Sequence, residues 1–139
     1  MVVFLDTSAL AKRYIEERGS GAVDSYFHES NDIRLSPVTP IEIASIFRRR
    51  FDEKSLSLED IEKSRREWEK ECSFFLFREF DTSLTQTSIM IVDRARIKTL
   101  DAIQLASAYL FPIDIFVTAD KALAVAAEKI LNKEVVLIE

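Results

Sequence analysis

Two kinds of hydrophobic pattern alternate along the chain. Short unbroken apolar runs, Val2-Val3-Phe4-Leu5 and Ile113 to Val117, are broken by turn residues. Between them lie longer stretches in which apolar residues recur every three or four positions. The first kind predicts strands buried on both faces, the second amphipathic helices. On this basis a strand is expected over Val2 to Leu5, then a helix from about Ser8 to Glu17 that Gly19-Ser20-Gly21 ends. A helix over about Ala22 to Glu29 and a short strand over Ile33 to Leu35 follow. Thr39-Pro40-Ile41-Glu42 reads as a capping box, with threonine at the N-cap, proline at N1 and glutamate at N3, opening a helix to about Phe51. Ser57-Leu58-Glu59-Asp60 starts another helix, running through Trp68 toward Phe77.

The second half repeats the alternation. A strand is expected over about Phe77 to Phe80, stopped by Asp81-Thr82, then a helix from about Ser83 to Arg96. Thr99-Leu100-Asp101 opens a helix to about Leu110, in which Ala102, Ala106, Ser107 and Ala108 allow close backbone approach. The strand Ile113 to Val117, a helix to about Leu131 and a strand Val135 to Ile138 complete the chain. Strands alternating with helices predict an α/β fold whose parallel sheet is covered on both faces, as one domain over residues 1–139.

Composition narrows this picture only slightly. The chain is 47% hydrophobic and 31% charged, ordinary values for a globular domain. The apolar run at the start is too short for a signal peptide, and no run approaches the roughly 18 residues a membrane span needs. The one cysteine, Cys72, excludes an internal disulfide and a thiolate zinc cluster. A protein of a reducing cytoplasm, with no membrane partner, is the expectation. The net charge of −5 argues against indiscriminate nucleic-acid binding, although Arg48, Arg49, Arg94, Arg96 and Lys98 form two local basic groups. These five are candidates to position phosphates, and each is equally a residue of a solvated helix face.

The chemistry lies in the carboxylates. Two strands end alike, in an apolar run, a hydroxyl-bearing turn and an aspartate: Leu5-Asp6-Thr7-Ser8 and Val117-Thr118-Ala119-Asp120. If the strands are parallel, Asp6 and Asp120 share one sheet edge, where open α/β sheets bind ligands. Glu42 and Asp101 fall in the first turns of helices that start at that same edge. Singly, each acid is explained by the helix dipole. Together they repel, by roughly 3 kcal/mol for a pair about 5 Å apart at an effective dielectric of about 20. Such a group must hold protons or cations, and oxygen donors alone suit Mg²⁺ or Mn²⁺. Asp81 is a fifth acid, read as a helix-starting residue. The lone His28 leaves no histidine pair for acid–base chemistry.

Four stretches carry a resemblance to a known family. They are Phe4-Leu5-Asp6-Thr7-Ser8-Ala9-Leu10, Ser36 through Glu42 to Arg48, Thr99-Leu100-Asp101-Ala102-Ile103-Gln104-Leu105-Ala106, and Phe116-Val117-Thr118-Ala119-Asp120-Lys121-Ala122-Leu123. In this order the chain resembles a PIN domain, most closely the VapC toxins of toxin–antitoxin pairs. The resemblance implies a three-layer α/β/α sandwich and an Mg²⁺- or Mn²⁺-dependent endoribonuclease. It places the site acids on Asp6, Glu42, Asp101 and Asp120 and a supporting hydroxyl on Thr118, with Thr7 and Ser8 in the turn beside Asp6. It also implies an RNA substrate, a homodimer and a cognate VapB-type antitoxin. Rival readings are a phosphotransfer domain, for which Ser8 stands where a second aspartate is needed, and a non-catalytic RNA-binding or protein-interaction module.

Overall fold

Five parallel strands run side by side in the order β3-β2-β1-β4-β5 in the computed structural model, which describes residues 1–28 and 30–139. The strands are β1 (Val2–Leu5), β2 (Asp32–Leu35), β3 (Leu76–Phe77), β4 (Ile115–Thr118) and β5 (Glu134–Leu137). The chain builds outward from β1 through β2 to β3, then crosses back to place β4 on the other flank of β1. The β1/β4 pair is therefore the point where strand order reverses, the usual ligand crevice of an open α/β sheet.

Side-chain alternation along these strands explains the layers. Val3 and Leu5 of β1, with Ile115 and Val117 of β4, pack into a core with Leu10, Tyr14, Ile43, Phe47, Ile61 and Trp68. These come from helices α1 (Thr7–Tyr14), α3 (Thr39–Asp52) and α4 (Leu58–Glu71). Phe4 and Phe116 point the other way, stacked at 5.6 Å, into a second core with Leu84, Ile91, Leu105, Leu123 and Ala127. That layer consists of α5 (Thr82–Ala95), α6 (Thr99–Leu110) and α7 (Lys121–Ile130). Each fully buried Leu, Ile or Phe contributes about 1.5–3 kcal/mol, so both faces of the sheet are held independently. The result is the expected three-layer α/β/α sandwich.

Several boundaries differ from the sequence expectation. The helix after β1 begins at Thr7 with Asp6 as its N-cap and ends at Tyr14, short of Glu17. Helix α2 covers only Ser20–Asp24, after Gly19 in the left-handed conformation (φ 94°); Glu29, the expected end of that helix, lies outside the described residues. Helix α4 stops at Glu71, and the chain makes one 3-10 turn over Cys72–Phe74 before β3. This third strand is two residues long, not the expected Phe77 to Phe80, because Arg78 already turns back to pair with Asp81. Of the aromatic run, Phe75 and Phe77 pack on Trp68 at 5.9 and 6.4 Å, whereas Phe74 is 77% exposed.

Candidate functional site

Register sets the site. Leu5 pairs with Val117, so the first residues beyond these strands, Asp6 and Thr118, meet at the carboxyl edge of the sheet. The Asp6 N–H donates to the Val117 carbonyl at 3.1 Å, which fixes its backbone. Its carboxylate is 2% exposed and accepts from the Ala9 N–H at 3.0 Å, closing the first turn of α1. Thr118 Oγ1 donates to Asp6 Oδ2 at 2.7 Å, and Ser8 Oγ lies 2.8 and 2.9 Å from the two carboxylate oxygens. Of the hydroxyls expected there, those of Ser8 and Thr118 contact the Asp6 carboxylate, while that of Thr7 turns to Glu42. Ser8 and Thr118 accept in turn from the N–H groups of Ala119 (2.9 Å) and Asp120 (3.0 Å), tying the β1 turn to the β4 turn.

The other three acids arrive from separate helices. Asp120 is the N-cap of α7 and accepts from the Leu123 N–H at 3.1 Å. Glu42 and Asp101 lie in the first turns of α3 and α6. All four line one cleft, together with Thr7, Ser8, Ile41, Ser45, Ile46, Arg49, Leu100 and Gln104. Among the described residues, no three acidic, histidine or cysteine side chains come together as a ready-made metal-ligand set.

Burial dominates the electrostatics of two of them. Burial pushes the Asp6 carboxyl from 3.8 up to about 6, against the opposing hydrogen bonds from Ala9, Thr118 and Ser8 and with a further push from Asp120. Burial likewise raises Asp101, reinforced by the charges of Asp120 and Glu42 and opposed by Lys98. Each shift means the site holds its negative charge reluctantly.

The capping box expected at Thr39 does not form. Val38 occupies the N-cap with no side-chain hydrogen bond, and Thr39 is the first helical residue. Both would-be cap partners are engaged elsewhere. Thr39 Oγ1 receives Gln104 Nε2 at 3.2 Å, while Glu42 Oε1 receives Thr7 Oγ1 at 2.9 Å and Gln104 Nε2 at 2.6 Å. Asp81 does cap its helix, accepting from the Leu84 N–H and pairing with Arg78, and it takes no part in the cleft.

Sequence reading missed Gln104, which is 2% exposed and leaves its Oε1 buried without a partner. An orphaned buried acceptor costs about 1–3 kcal/mol. The available signal was its place in an apolar helix face, one turn after Asp101. Of the basic candidates, Arg49 lines the cleft and Lys98 precedes α6 near Asp101. Arg48, Arg94 and Arg96 do not line it. Arg48 pairs with Asp52 at 3.2 Å, Arg49 with Glu53 at 3.9 Å, all on exposed helix surface.

Comparisons with known proteins agree with this architecture. The "Toxin-antitoxin complex from Klebsiella pneumoniae" contains a chain similar to this one with a TM-score of 0.67 at 19% identity, covering 99% of this chain and 98% of that one. VapBC2 from Rickettsia felis, bound to a DNA fragment from its promoter, gives 0.71 at 14% identity over the full length of both chains. FitAcB from Neisseria gonorrhoeae gives 0.61 at 19% identity, covering 96% and 95%. No curated protein matches the chain in sequence. The PIN-domain family pattern matches residues 3–129, which include all four acids, and the chain belongs to the PIN-domain family.

Proposed function

We propose that this chain is a divalent-metal-dependent endoribonuclease, the VapC-type toxin of a toxin–antitoxin pair, acting as one domain over residues 1–139. The observation that carries this is the cleft at the strand-order reversal, where Asp6, Glu42, Asp101 and Asp120 from four separate elements face one space. Helix capping accounts for such acids one at a time, but not for four at one cleft with Asp6 and Asp101 pushed toward protonation.

The donor set fits a hard cation, since every candidate ligand atom is oxygen. Oxygen donors suit Mg²⁺ or Mn²⁺ better than Zn²⁺, and Mg²⁺ keeps several waters with substrate phosphate completing its shell. Asp6, Glu42, Asp101 and Asp120 would hold the ion, some of them through water. When bound, the cation supplies a Lewis acid for the phosphate and a lowered pKa for the attacking water. The chain's own part is positional. Ser8 and Thr118 hold both Asp6 oxygens, so that carboxylate needs no reorganisation. Arg49 and Lys98 bring positive charge to the rim for RNA phosphates. Water adds to phosphorus, the bond to the 3′-oxygen breaks, and the products carry a 5′-phosphate and a 3′-hydroxyl. A route through the 2′-hydroxyl with a histidine acid and base has no support, since His28 lies against Phe27, Asn31 and Phe75 in a different hollow.

The partners follow the same reading. Relatives in the solved complexes are described as toxin–antitoxin or VapBC assemblies. An antitoxin arginine would suit an acidic cleft, through charge-assisted pairing with its carboxylates. A homodimer would cover the apolar surface of α5, where Ile89 is 59% and Val92 39% exposed beside Phe80. Among the described residues, no helix is long and apolar enough to cross a membrane. A cytoplasmic location is part of this proposal.

The absence of a three-ligand group gives the non-catalytic RNA-binding module one observation in its favour. A single experiment separates the two. Labelled structured RNA is incubated with wild type or Asp6→Asn in Mg²⁺, Mn²⁺ or EDTA. Cleavage that needs the metal and Asp6 supports the nuclease. Retained RNA binding with no cleavage under any condition supports the module. Cleavage that survives both EDTA and the substitution removes the metal site.

A further inference from the structure

We infer that Gln104 is a positioning residue, which anchors one oxygen of Glu42 and thereby presents the other to the cation site. This rests on the nuclease reading above for what Glu42 does, but the placement itself is a matter of hydrogen-bond directions.

Those directions are nearly determined by proton count. Gln104 Nε2 lies 2.6 Å from Glu42 Oε1, 2.8 Å from Thr7 Oγ1 and 3.2 Å from Thr39 Oγ1. Thr7 Oγ1 lies 2.9 Å from Glu42 Oε1 and has a single proton. A carboxylate only accepts, so that proton goes to Glu42, and Thr7 must accept from Gln104. The two amide protons then serve Glu42 on one side and the threonine pair on the other. Turning the amide over would set its carbonyl oxygen against the carboxylate, so charge fixes its orientation.

Two further features argue against a purely structural role. Gln104 Oε1 is buried with no partner, a defect that an apolar side chain at this place would not create. Native structures leave few such groups, and each calls for an explanation. In addition, both bonds to Glu42 fall on Oε1, leaving Oε2 without a donor among the described residues. A single amide thus joins α1, α3 and α6, the helices that begin beside Asp6 and carry Glu42 and Asp101. It also explains why α3 opens without its own cap: Thr39 and Glu42 both face Gln104.

The test is a double-mutant cycle read by Mn²⁺ alone. Wild type, Gln104→Met, Glu42→Gln and the double variant are titrated with Mn²⁺ by calorimetry without RNA. Melting temperature and the kcat and KM of RNA cleavage are measured in parallel. Partners of ligating carboxylates typically influence metal affinity about 10–100-fold, so Gln104→Met is expected to weaken Mn²⁺ by about tenfold or more. It should have no further effect once Glu42 is already glutamine. Gln104→Glu keeps the shape but turns the donor into a second carboxylate, and it should weaken Mn²⁺ binding at least as much as methionine does. Unchanged affinity in Gln104→Met, an equal loss in both Glu42 backgrounds, or failure of both Gln104 variants to fold would overturn the inference. So would a wild type that binds no Mn²⁺. A wild type that binds Mn²⁺ without cutting RNA defeats only the nuclease reading, and the cycle still decides the role of Gln104.

Discussion

The two ends of helix α1 treat carboxylates in opposite ways. At its C-terminal end three acids, Glu17, Asp24 and Glu71, have cations. Glu17 meets Lys12 and Arg50, and Arg13 bridges Asp24 and Glu71 with N–O distances of 2.9 Å. Burial pushes Glu17 up, but the bonds from Arg50 and Lys12 outweigh it and hold it below the usual carboxylate range. At the N-terminal end Asp6 is more deeply buried and meets only hydroxyls and one N–H, with Asp120 as a like-charged neighbour. The contrast teaches where this fold uses acids to hold itself together and where it keeps them available. Paired acids hold α1, α2 and α4 together; those at the sheet edge have no cationic side-chain partner among the described residues.

The largest expected effect separates the two ends by activity. Asp101→Asn removes a carboxylate of the unpaired group, and a cation contributes several kcal/mol to the transition state. A loss of about 10³-fold in kcat is expected, measured on labelled RNA in saturating Mn²⁺. Near-normal turnover would show that the unpaired group is not the catalytic one.

The second effect is on stability and has a definite sign. Because the folded protein holds the Asp6 proton more tightly than the unfolded chain, stability falls as pH rises from 3.8 to about 6. The full difference is about 3 kcal/mol. Glu17 acts oppositely: its lowered pKa contributes stability above the unfolded value of 4.5, which is lost as pH falls. Urea unfolding from pH 4 to 7 without divalent ions should therefore show a decline in wild type that is smaller in Asp6→Asn, where Asp101 still contributes, and Mn²⁺ should restore stability at pH 7. A flat wild-type profile would contradict the assignment.

How far the sequence alone reached follows from the same contrast. Asp6 and Asp120 were legible because a polar turn after a buried strand needs only local pattern and parallel pairing. Glu42 and Asp101 were legible by position in a helix's first turn, but their role rested on the family resemblance. The capping box at Thr39 misled, since its threonine and glutamate have two competing sets of partners and the tertiary set, Gln104 and Thr7, prevails. Gln104 was passed over because a glutamine in a helix ordinarily faces water. The pairs Arg13–Glu71 and Arg50–Glu17 join residues distant in sequence, which local pattern does not reveal.

Smaller effects sharpen the contrast from the other side. Arg13→Ala breaks the paired end, including the guanidinium stacked 4.3 Å from the Phe27 ring, and should lower stability by about 1 kcal/mol. Cleavage per folded molecule should not change. Arg49→Ala, at the exposed rim of the cleft, should raise the KM for RNA by about threefold, the scale of an exposed charge contact, with kcat unaltered. A fall in kcat would instead place Arg49 at the reacting phosphate.

The most direct measurement is anomalous scattering from crystals of the wild-type protein grown with Mn²⁺. The expected result is a peak within coordination distance of carboxylate oxygens of Asp6, Asp101 or Asp120. An empty cleft at Mn²⁺ concentrations that support cleavage, or a peak only at the paired acids around Arg13, would contradict the assignment of the unpaired acids as the cation site.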